Sequence, residues 1–436
     1  MLDIKFIREN PDLVREVIKN RQKDPSLVDL VLELDEKRRV ILRELEELRR
    51  KRNEISHIAQ ESVIEGKSVK ERIKELEPKA DQAEKEFYEN LILVPNLYLD
   101  DVPLGKDESE NVVVRSWGQV RKFTFTPKDH LEIGEKHGSI DVERAALISG
   151  SRFAYLKGDL ALMQFALISF VLKTLTDAKI VSEVSRKIDP KLSPKSFIPV
   201  IPPAMIKPDI YIKMARLDKF QAEERYFLPK DNLYLIGSSE HTLGPLHLEQ
   251  TLQEEELPIR YVGYSTCFRE EAGTYGKDLK GILRVHQFDK VEMESFCLPE
   301  LSLKEQDFFV AIQEYIMQAL GIPYRIVMIC TGDLGGPDAR QIDLESFMPG
   351  QNKYRETHTA DLMTDYQARR LGTKVRRHDG SSQLVHMNDA TACALGRTLI
   401  AILENYQNED GSITVPEVLR PYLGKDLLAQ ASKITP

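Results

Sequence analysis

The sequence predicts an α+β chain: an N-terminal antiparallel coiled-coil arm, then a larger domain of mixed strands and helices. Three observations carry that reading. From about Leu27 to Val94, apolar residues recur in alternating steps of four and three, the seam signature of paired helices. Around Cys267 and Phe288 the character of the residues alternates with a period of two, as in half-buried strands. No βαβ glycine fingerprint is present, which argues against a Rossmann core.

The arm comes first. Met1 to Lys5 begins an amphipathic helix rather than a signal peptide. The first seam is Leu27, Val31, Leu34, Arg38, Ile41, Leu45, Leu48, Arg52, Ile55 and Ala59. After a break at Glu65-Gly66-Lys67-Ser68 it resumes at Val69, Ile73, Leu76, Ala80, Ala83, Phe87 and Leu91. Two seams of similar length joined by a short turn imply a helical hairpin at about 27–94, projecting roughly 45 Å. One narrow apolar seam per helix leaves each helix no core except its partner, so the arm is expected to protrude. Pro78 is expected to interrupt and kink the second helix.

Arg49-Arg50-Lys51-Arg52 lies on the first helix, and Lys67, Lys70, Arg72 and Lys74 lie near the turn. The neighbouring Glu44, Glu46, Glu47 and Glu54 favour an ordinary solvated face. On a protruding arm the same cations can hold phosphates without reading bases. The formal net charge of −9 argues against a nucleic-acid partner only until charge is considered locally. Gly66-Lys67-Ser68 is no phosphate loop, because Glu61 stands where the first glycine belongs.

A chain of 436 residues suggests two domains. Asn96 to Gly105, with Pro95 and Pro103, reads as the linker, which divides the chain into 1–105 and 106–436. No run approaches the apolar length of a membrane span, so a soluble, cytoplasmic protein without a membrane partner is expected. The four cysteines, Cys267, Cys297, Cys330 and Cys393, are too scattered for a zinc cage or a disulfide framework and read as buried thiols.

Most of the chemistry is concentrated in Phe268-Arg269-Glu270-Glu271-Ala272-Gly273 and in Arg284 to Glu292. Ser265, Cys267 and Arg269 point one way on the first strand, and Arg284, His286, Phe288, Lys290 and Glu292 share a face on the second. The Gly- and Lys-rich stretch from Gly273 to Gly281 makes the pair an antiparallel hairpin with a long loop. A charged sheet face can be a solvated surface with cross-strand ion pairs. It can also hold a nucleoside triphosphate beside a small zwitterion.

These residues resemble motif 2 of the class II aminoacyl-tRNA synthetases and, in detail, the seryl-tRNA synthetase family. The resemblance extends in order through Ser238-Ser239-Glu240, Met348-Pro349-Gly350-Gln351, Tyr354-Arg355-Glu356, Asp365 to Arg370, Gly396-Arg397-Thr398 with Glu404 to Gln407, and Gly411 to Pro421. Pro202-Pro203 matches the motif 1 proline, which in the family lies near a dimer interface. Lys179 to Lys195, with Pro190 and Pro194, suggests a surface excursion longer than the family's usual connection.

The resemblance implies an antiparallel sheet flanked by helices and a homodimer. It also implies ligation of L-serine to tRNA(Ser) through a seryl-adenylate, and leaves open whether tRNA(Sec) is charged too. By position, Arg269 would meet the α-phosphate and the serine carboxylate, Arg397 the γ-phosphate and Arg284 the bent triphosphate of ATP. Phe288 would stack on adenine and Glu271 would lie near its amino group. Glu356 and Thr359 would hold Mg²⁺. Ser238, Glu240, Arg269, Glu292 and Thr391 would surround serine, with Glu292 and Thr391 at its hydroxyl. Arg269 and Arg397 are the candidate catalytic residues. Arg49, Arg50, Lys51 and Arg52 would contact the long variable arm of the tRNA, whose A-form shape invites backbone recognition.

The sequence departs from the family in two places. The usual Ser-Ser-Cys-Ser reads His358-Thr359-Ala360-Asp361, and Asp389 stands where asparagine is frequent. An added carboxylate there would repel ATP unless paired or turned away. His358, Tyr406 and Phe347 read as packing residues. A ligase for a carrier protein and a catalytically silent RNA-binding protein are the competing readings; the long arm opposes the first, and only the altered loops favour the second.

Overall fold

A computed structural model describes residues 1–56, 63–271 and 281–430. Helices α1 (Ile4–Glu9) and α2 (Pro11–Asn20) precede the arm. The Asp3 side chain caps α1 by accepting the Lys5 amide, and Pro11 opens α2 where no amide proton is needed. The arm is α3 (Ser26–Ser56) packed along α4 (Val63–Leu91). Its 31-residue first helix spans about 45 Å. Val31 and Leu45 of α3 and Val69, Ile73, Leu76, Ala80, Phe87 and Leu91 of α4 are buried, as the heptad pattern requires, while at the start of α3 Val28 is buried in place of the expected Leu27.

The arm departs from the sequence reading in three details. Glu65 to Ser68 is helical, so the break expected there is absent; residues 57–62, Ala59 among them, lie outside the described residues. A glycine inside a helix costs about 1 kcal/mol. The pairing of the helices outweighs that cost, and Gly66 packs beside Ile55. Pro78 does not end α4: it sits on the exposed face, where the carbonyl that loses its donor meets water. Arg52 is exposed rather than in the seam, but Arg38 belongs to it. The Arg38 guanidinium lies 4.0 Å from the Phe87 ring centroid and pairs with Asp35 and Glu84, each at 2.9 Å.

The root of the arm is fastened to the rest of the chain. Asn96 Nδ2 donates to the carbonyls of Pro337 (2.9 Å) and Met363 (2.8 Å). The Arg21 guanidinium donates to the carbonyls of Gly335 (2.8 Å) and Asp338.

Beyond the root, eight strands form one sheet: β1 (Val112–Trp117), β2 (Ile198–Val200), β3 (Ile259–Phe268), β4 (Gln287–Cys297), β5 (Tyr324–Met328), β6 (Arg340–Met348), β7 (Lys353–Thr364) and β8 (His386–Ala394). Their order is β1-β5-β6-β7-β8-β4-β3-β2. Every pairing is antiparallel except that of β2 with β3. Val291, Met293, Ala360, Ala390 and Ala392 turn to one face and join the main core. Helices α5 (Asp159–Thr176), α6 (Ala178–Ile188), α7 (Ser302–Ala319) and α9 (Leu395–Tyr406) contribute to that core; α8 (Tyr366–Leu371) joins a second apolar cluster. Gln306 and Gln313 of α7 donate to the carbonyls of Ala360 and Thr391, which ties the helix to the back of the sheet.

Two further expectations are corrected. α5 is long and apolar enough to cross a membrane by length and composition. Leu160, Met163, Leu167, Val171 and Leu175 nevertheless face the protein core, which explains the apolar run. The stretch from Lys179 to Lys195 is not simply a surface excursion. It contains the amphipathic α6, capped by Asp177, and it buries Val181, Val184 and Leu192. His358 is fully buried, with Nδ1 2.9 Å from Thr357 Oγ1, and its pKa is lowered to about 3 by burial. Tyr406 donates to the Leu320 carbonyl at 2.6 Å, and Phe347 is buried, so all three are packing residues.

Candidate active site

The face opposite the core carries the charges. In the β3–β4 register, Cys267 lies across from Phe288, Ser265 from Lys290 and Gly263 from Glu292. The two alternating rows therefore form one surface. Arg284 and His286 precede β4 instead of lying on it. Residues 272–280, most of the anticipated loop, lie outside the described residues. A cavity of about 400 Å³ opens on this face and is bounded by β4, β6, β7 and β8.

Arg269 is held at the rim of the cavity. Its amide donates to the His286 carbonyl at 3.0 Å and its Nε to the Gly237 carbonyl at 3.2 Å, which leaves the outer edge of the guanidinium directed at the cavity. Its carbon lies 5.4 Å from the Phe288 ring centroid. Glu271 adopts a positive φ of 50°, and its carboxylate lies 3.4 Å from Arg284 Nε. Across the cavity, Arg397 at the start of α9 pairs with Glu356 at 3.1 Å and also donates to its carbonyl at 3.0 Å.

At the inner end, Thr391 Oγ1 donates to Glu292 at 3.0 Å, and Lys290 pairs with Glu292 and donates to Ser238 Oγ at 3.1 Å. Burial alone would lower the Lys290 pKa, but Glu292 and Glu240 raise it and keep the ammonium charged. His241 Nδ1 accepts the Gly237 amide at 3.2 Å, so the ring proton belongs on Nε2, 3.4 Å from Glu240. Burial pushes the His241 pKa far down, which makes this residue a neutral support for Glu240.

The structure thus brings Ser238, Glu240, Arg269, Glu271, Arg284, Phe288, Glu292, Glu356, Thr359, Thr391 and Arg397 to one region of the sheet face. Of these, all but Ser238 line the cavity itself. Arg49 to Arg52 are on the arm: Arg49 pairs with Glu77 (2.9 Å), Arg50 with Glu54 (3.7 Å) and Lys51 with Glu65 (2.6 Å), all exposed.

Sequence reasoning missed Arg216, which lines the cavity, and Asp343, which lies behind Thr359. Asp343 accepts the Thr359 hydroxyl proton, and burial followed by Glu356 pushes its pKa well up. Arg216 binds Asp389 at 3.0 Å and Asp361 at 3.3 Å, so the extra carboxylates are paired. Asp343 could have been found from strand alternation opposite Thr359; Arg216 lies between short elements with no periodic signal.

Glu356 and Thr359 line the cavity and present oxygen atoms only, with Asp343 accepting from Thr359 behind them, a donor set that suits Mg²⁺. Among the described residues no cluster of three or more His, Cys, Asp or Glu forms a protein-only metal cage. This donor set fits an ion that takes most of its ligands from phosphates and water.

Comparisons with known proteins identify the family. Residues 1–98 match the seryl-tRNA synthetase N-terminal domain, and residues 220–406 match the tRNA synthetase class II core domain (G, H, P, S and T). A serine–tRNA ligase of Dictyoglomus turgidum is 41% identical, with 97% of this chain and 98% of the relative aligned. One from Thermotoga petrophila is also 41% identical, over 98% of this chain and 100% of the relative. The seryl-tRNA synthetase of Pyrococcus horikoshii, solved in complex with ATP, superposes with a TM-score of 0.88 at 37% identity, covering 99% of this chain and 100% of that one. With the N-terminal domain and the class II core both matched, and relatives aligned over nearly the full length, this chain belongs to the seryl-tRNA synthetases, the class II serine–tRNA ligases.

Proposed function

We propose that this enzyme activates L-serine with ATP to seryl-adenylate in the β4–β8 cleft and transfers the seryl group to the 3′ end of tRNA(Ser). The observation that carries the reading is the convergence of Arg269, Glu292, Thr391, Glu356 and Arg397 on one cavity. Forming the adenylate brings a carboxylate against a phosphate, so two anions must share a cationic support. Arg269 suits that place because its guanidinium is fixed at Nε and stays charged. Arg397 and Arg284 would exchange Glu356 and Glu271 for the γ-phosphate and the folded triphosphate. Phe288 offers its ring to adenine, with Glu271 near the amino group.

Serine would sit with its ammonium toward Ser238 and Glu240 and its hydroxyl between Glu292 and Thr391. An alanine there would leave those buried polar groups unpaired, which is the basis of selection. Glu356 and Thr359, with Asp343 behind them, would hold Mg²⁺, which neutralises phosphate charge when bound.

Two units, 1–105 and 106–436, share the work: the arm grips the tRNA, with Arg49, Arg50, Lys51 and Arg52 on its phosphates, and the sheet does the chemistry. The reading extends to tRNA(Sec) wherever that RNA offers a similar long arm. Exposed Leu162, Phe165 and Ile201, on α5 and beside edge strand β2, support a homodimer across this apolar surface. The expected location is the cytoplasm.

The test is ATP–pyrophosphate exchange driven by serine, followed by aminoacylation of tRNA(Ser). Exchange with serine but not alanine, followed by charging, is expected. Absence of serine-dependent exchange in folded protein would remove the proposal.

A further inference from the structure

The two places where the sequence departs from its family form one structural unit. Asp389 of β8 lies directly across from Asp361 of β7 on one side and from Glu294 of β4 on the other. Asp361 and Asp389 line the inner end of the cavity, beyond Glu292 and Thr391, and share the Arg216 guanidinium. Asp338 approaches the same guanidinium at 3.8 Å.

Carboxyl groups outnumber cations among the described residues at this end. The carboxyl groups are Glu240, Glu292, Glu294, Asp338, Asp361 and Asp389, whereas the cations in contact with them are Arg216 and Lys290. Glu294 is 0% exposed, and neither of its carboxyl oxygens has a hydrogen-bond partner among the described residues. Asp361, 4% exposed, keeps Oδ1 unpartnered beside the cavity. A buried carboxyl oxygen without a donor is costly, and a cavity that presents one, as it does Asp361 Oδ1, favours a ligand that brings donors and positive charge. A serine hydroxyl brings one donor; an ammonium brings three and accepts none.

We propose that the amino-acid pocket takes, besides serine, a small amino acid whose side chain ends in an amine, and that Asp389 is the residue that selects it. This rests on the amino-acid site described under the proposed function and deepens it. The α-ammonium meets Glu240 as for serine, and the side-chain amine replaces the hydroxyl between Glu292 and Thr391, within the field of Asp389. Burial pushes the Asp389 carboxyl up to about 7, with Arg216 opposing, so it holds a proton over part of the neutral range that an incoming cation would displace.

The experiment is ATP–pyrophosphate exchange with the full-length enzyme, using serine, 2,3-diaminopropionate and 2-aminobutyrate as separate substrates. The last has the same size with a methyl in place of the polar group. Diaminopropionate is expected to give kcat/KM at least about tenfold above aminobutyrate, a modest demand for a site that pairs a polar group. Asp389→Asn should lower the diaminopropionate-to-serine ratio by about tenfold, and Asp361→Asn should lower it less.

Serine-dependent exchange with diaminopropionate no better than aminobutyrate would overturn the inference while sparing the serine reading. An unchanged ratio in Asp389→Asn would remove Asp389 as the selector. Exchange with diaminopropionate but not serine would support the inference and defeat the serine assignment, and exchange with neither would defeat both. Should Asp389→Asn not fold, the wild-type preference for diaminopropionate over aminobutyrate decides the outcome.

Discussion

The arm and the cleft use the same side chains, arginines and carboxylates, in opposite surroundings. Along α3 and α4, pairs such as Arg49–Glu77 and Arg72–Glu44 stand in water, where side-chain entropy and salt leave an ion pair little net worth. In the cleft, Arg216 and Lys290 meet carboxylates away from solvent, and each missing partner is felt. The same amino-acid composition therefore makes a replaceable surface in one region and a tuned site in the other. Position relative to water, more than residue type, separates them.

The comparison is broken most directly at Arg269. Arg269→Ala is expected to reduce serine-dependent exchange by at least about 10³-fold, since a charged donor at the reacting phosphate is lost. Wild-type exchange in that variant would end the phosphate assignment.

Next in size is removal of the outer arm. Replacing residues 38–84 with a short turn keeps Val28, Val31, Phe87, Leu91 and Val94, which pack at the root. Charging of tRNA(Ser) should fall by about 10²-fold or more as phosphate contacts disappear, with exchange within about twofold of wild type. Full charging by the truncated enzyme would make the arm dispensable.

A third outcome distinguishes buried from exposed charge by pH. Burial raises the Asp389 carboxyl in the folded protein from the ordinary carboxylate value of 3.8 to about 7. The folded protein therefore binds this proton more tightly than the unfolded chain does. The resulting stabilisation is complete below about pH 4 and lost as pH rises to about 7. Denaturant unfolding between pH 5 and 8 should show stability falling by up to about 1.4 kcal/mol per pH unit from this group, and less steeply in Asp389→Asn. Equal slopes for both proteins would contradict the buried, proton-retaining carboxyl.

The smallest effects belong to the arm surface. Alanine at Arg49, Arg50, Lys51 and Arg52 together should raise the KM for tRNA by about tenfold at low salt, less at high salt, and spare exchange. Arg72→Ala should leave the melting temperature unchanged within error. A large loss of stability there would show that the exposed pairs contribute more than their setting suggests.

Much of this division was legible in the sequence. Steps of four and three exposed the arm because a seam must repeat for two helices to bury it. The β3–β4 hairpin was legible because alternation fixes which side chains share a face, and a run of such residues matched a family motif. The turn of the arm was misplaced because Gly66 and Lys67 suggest a loop locally, whereas packing along Ile55 keeps them helical. Arg216 was invisible because its partners lie on β7 and β8, far away in the chain. The significance of Asp389 depended on that unseen partner: sequence gave a carboxylate out of place, and only the register of β4, β7 and β8 showed what surrounds it.

The fastening at Asn96 and Arg21 has a mechanical consequence. Each side chain grips backbone carbonyls on the segments that lead into β6 or leave β7, so the hairpin is bolted to the wall of the cleft at more than one point. A limb mounted in this way behaves as a caliper rather than a tether. In the proposed complex it would set a fixed span between grip and reaction centre, and an RNA would be gauged by its dimensions before any base is inspected.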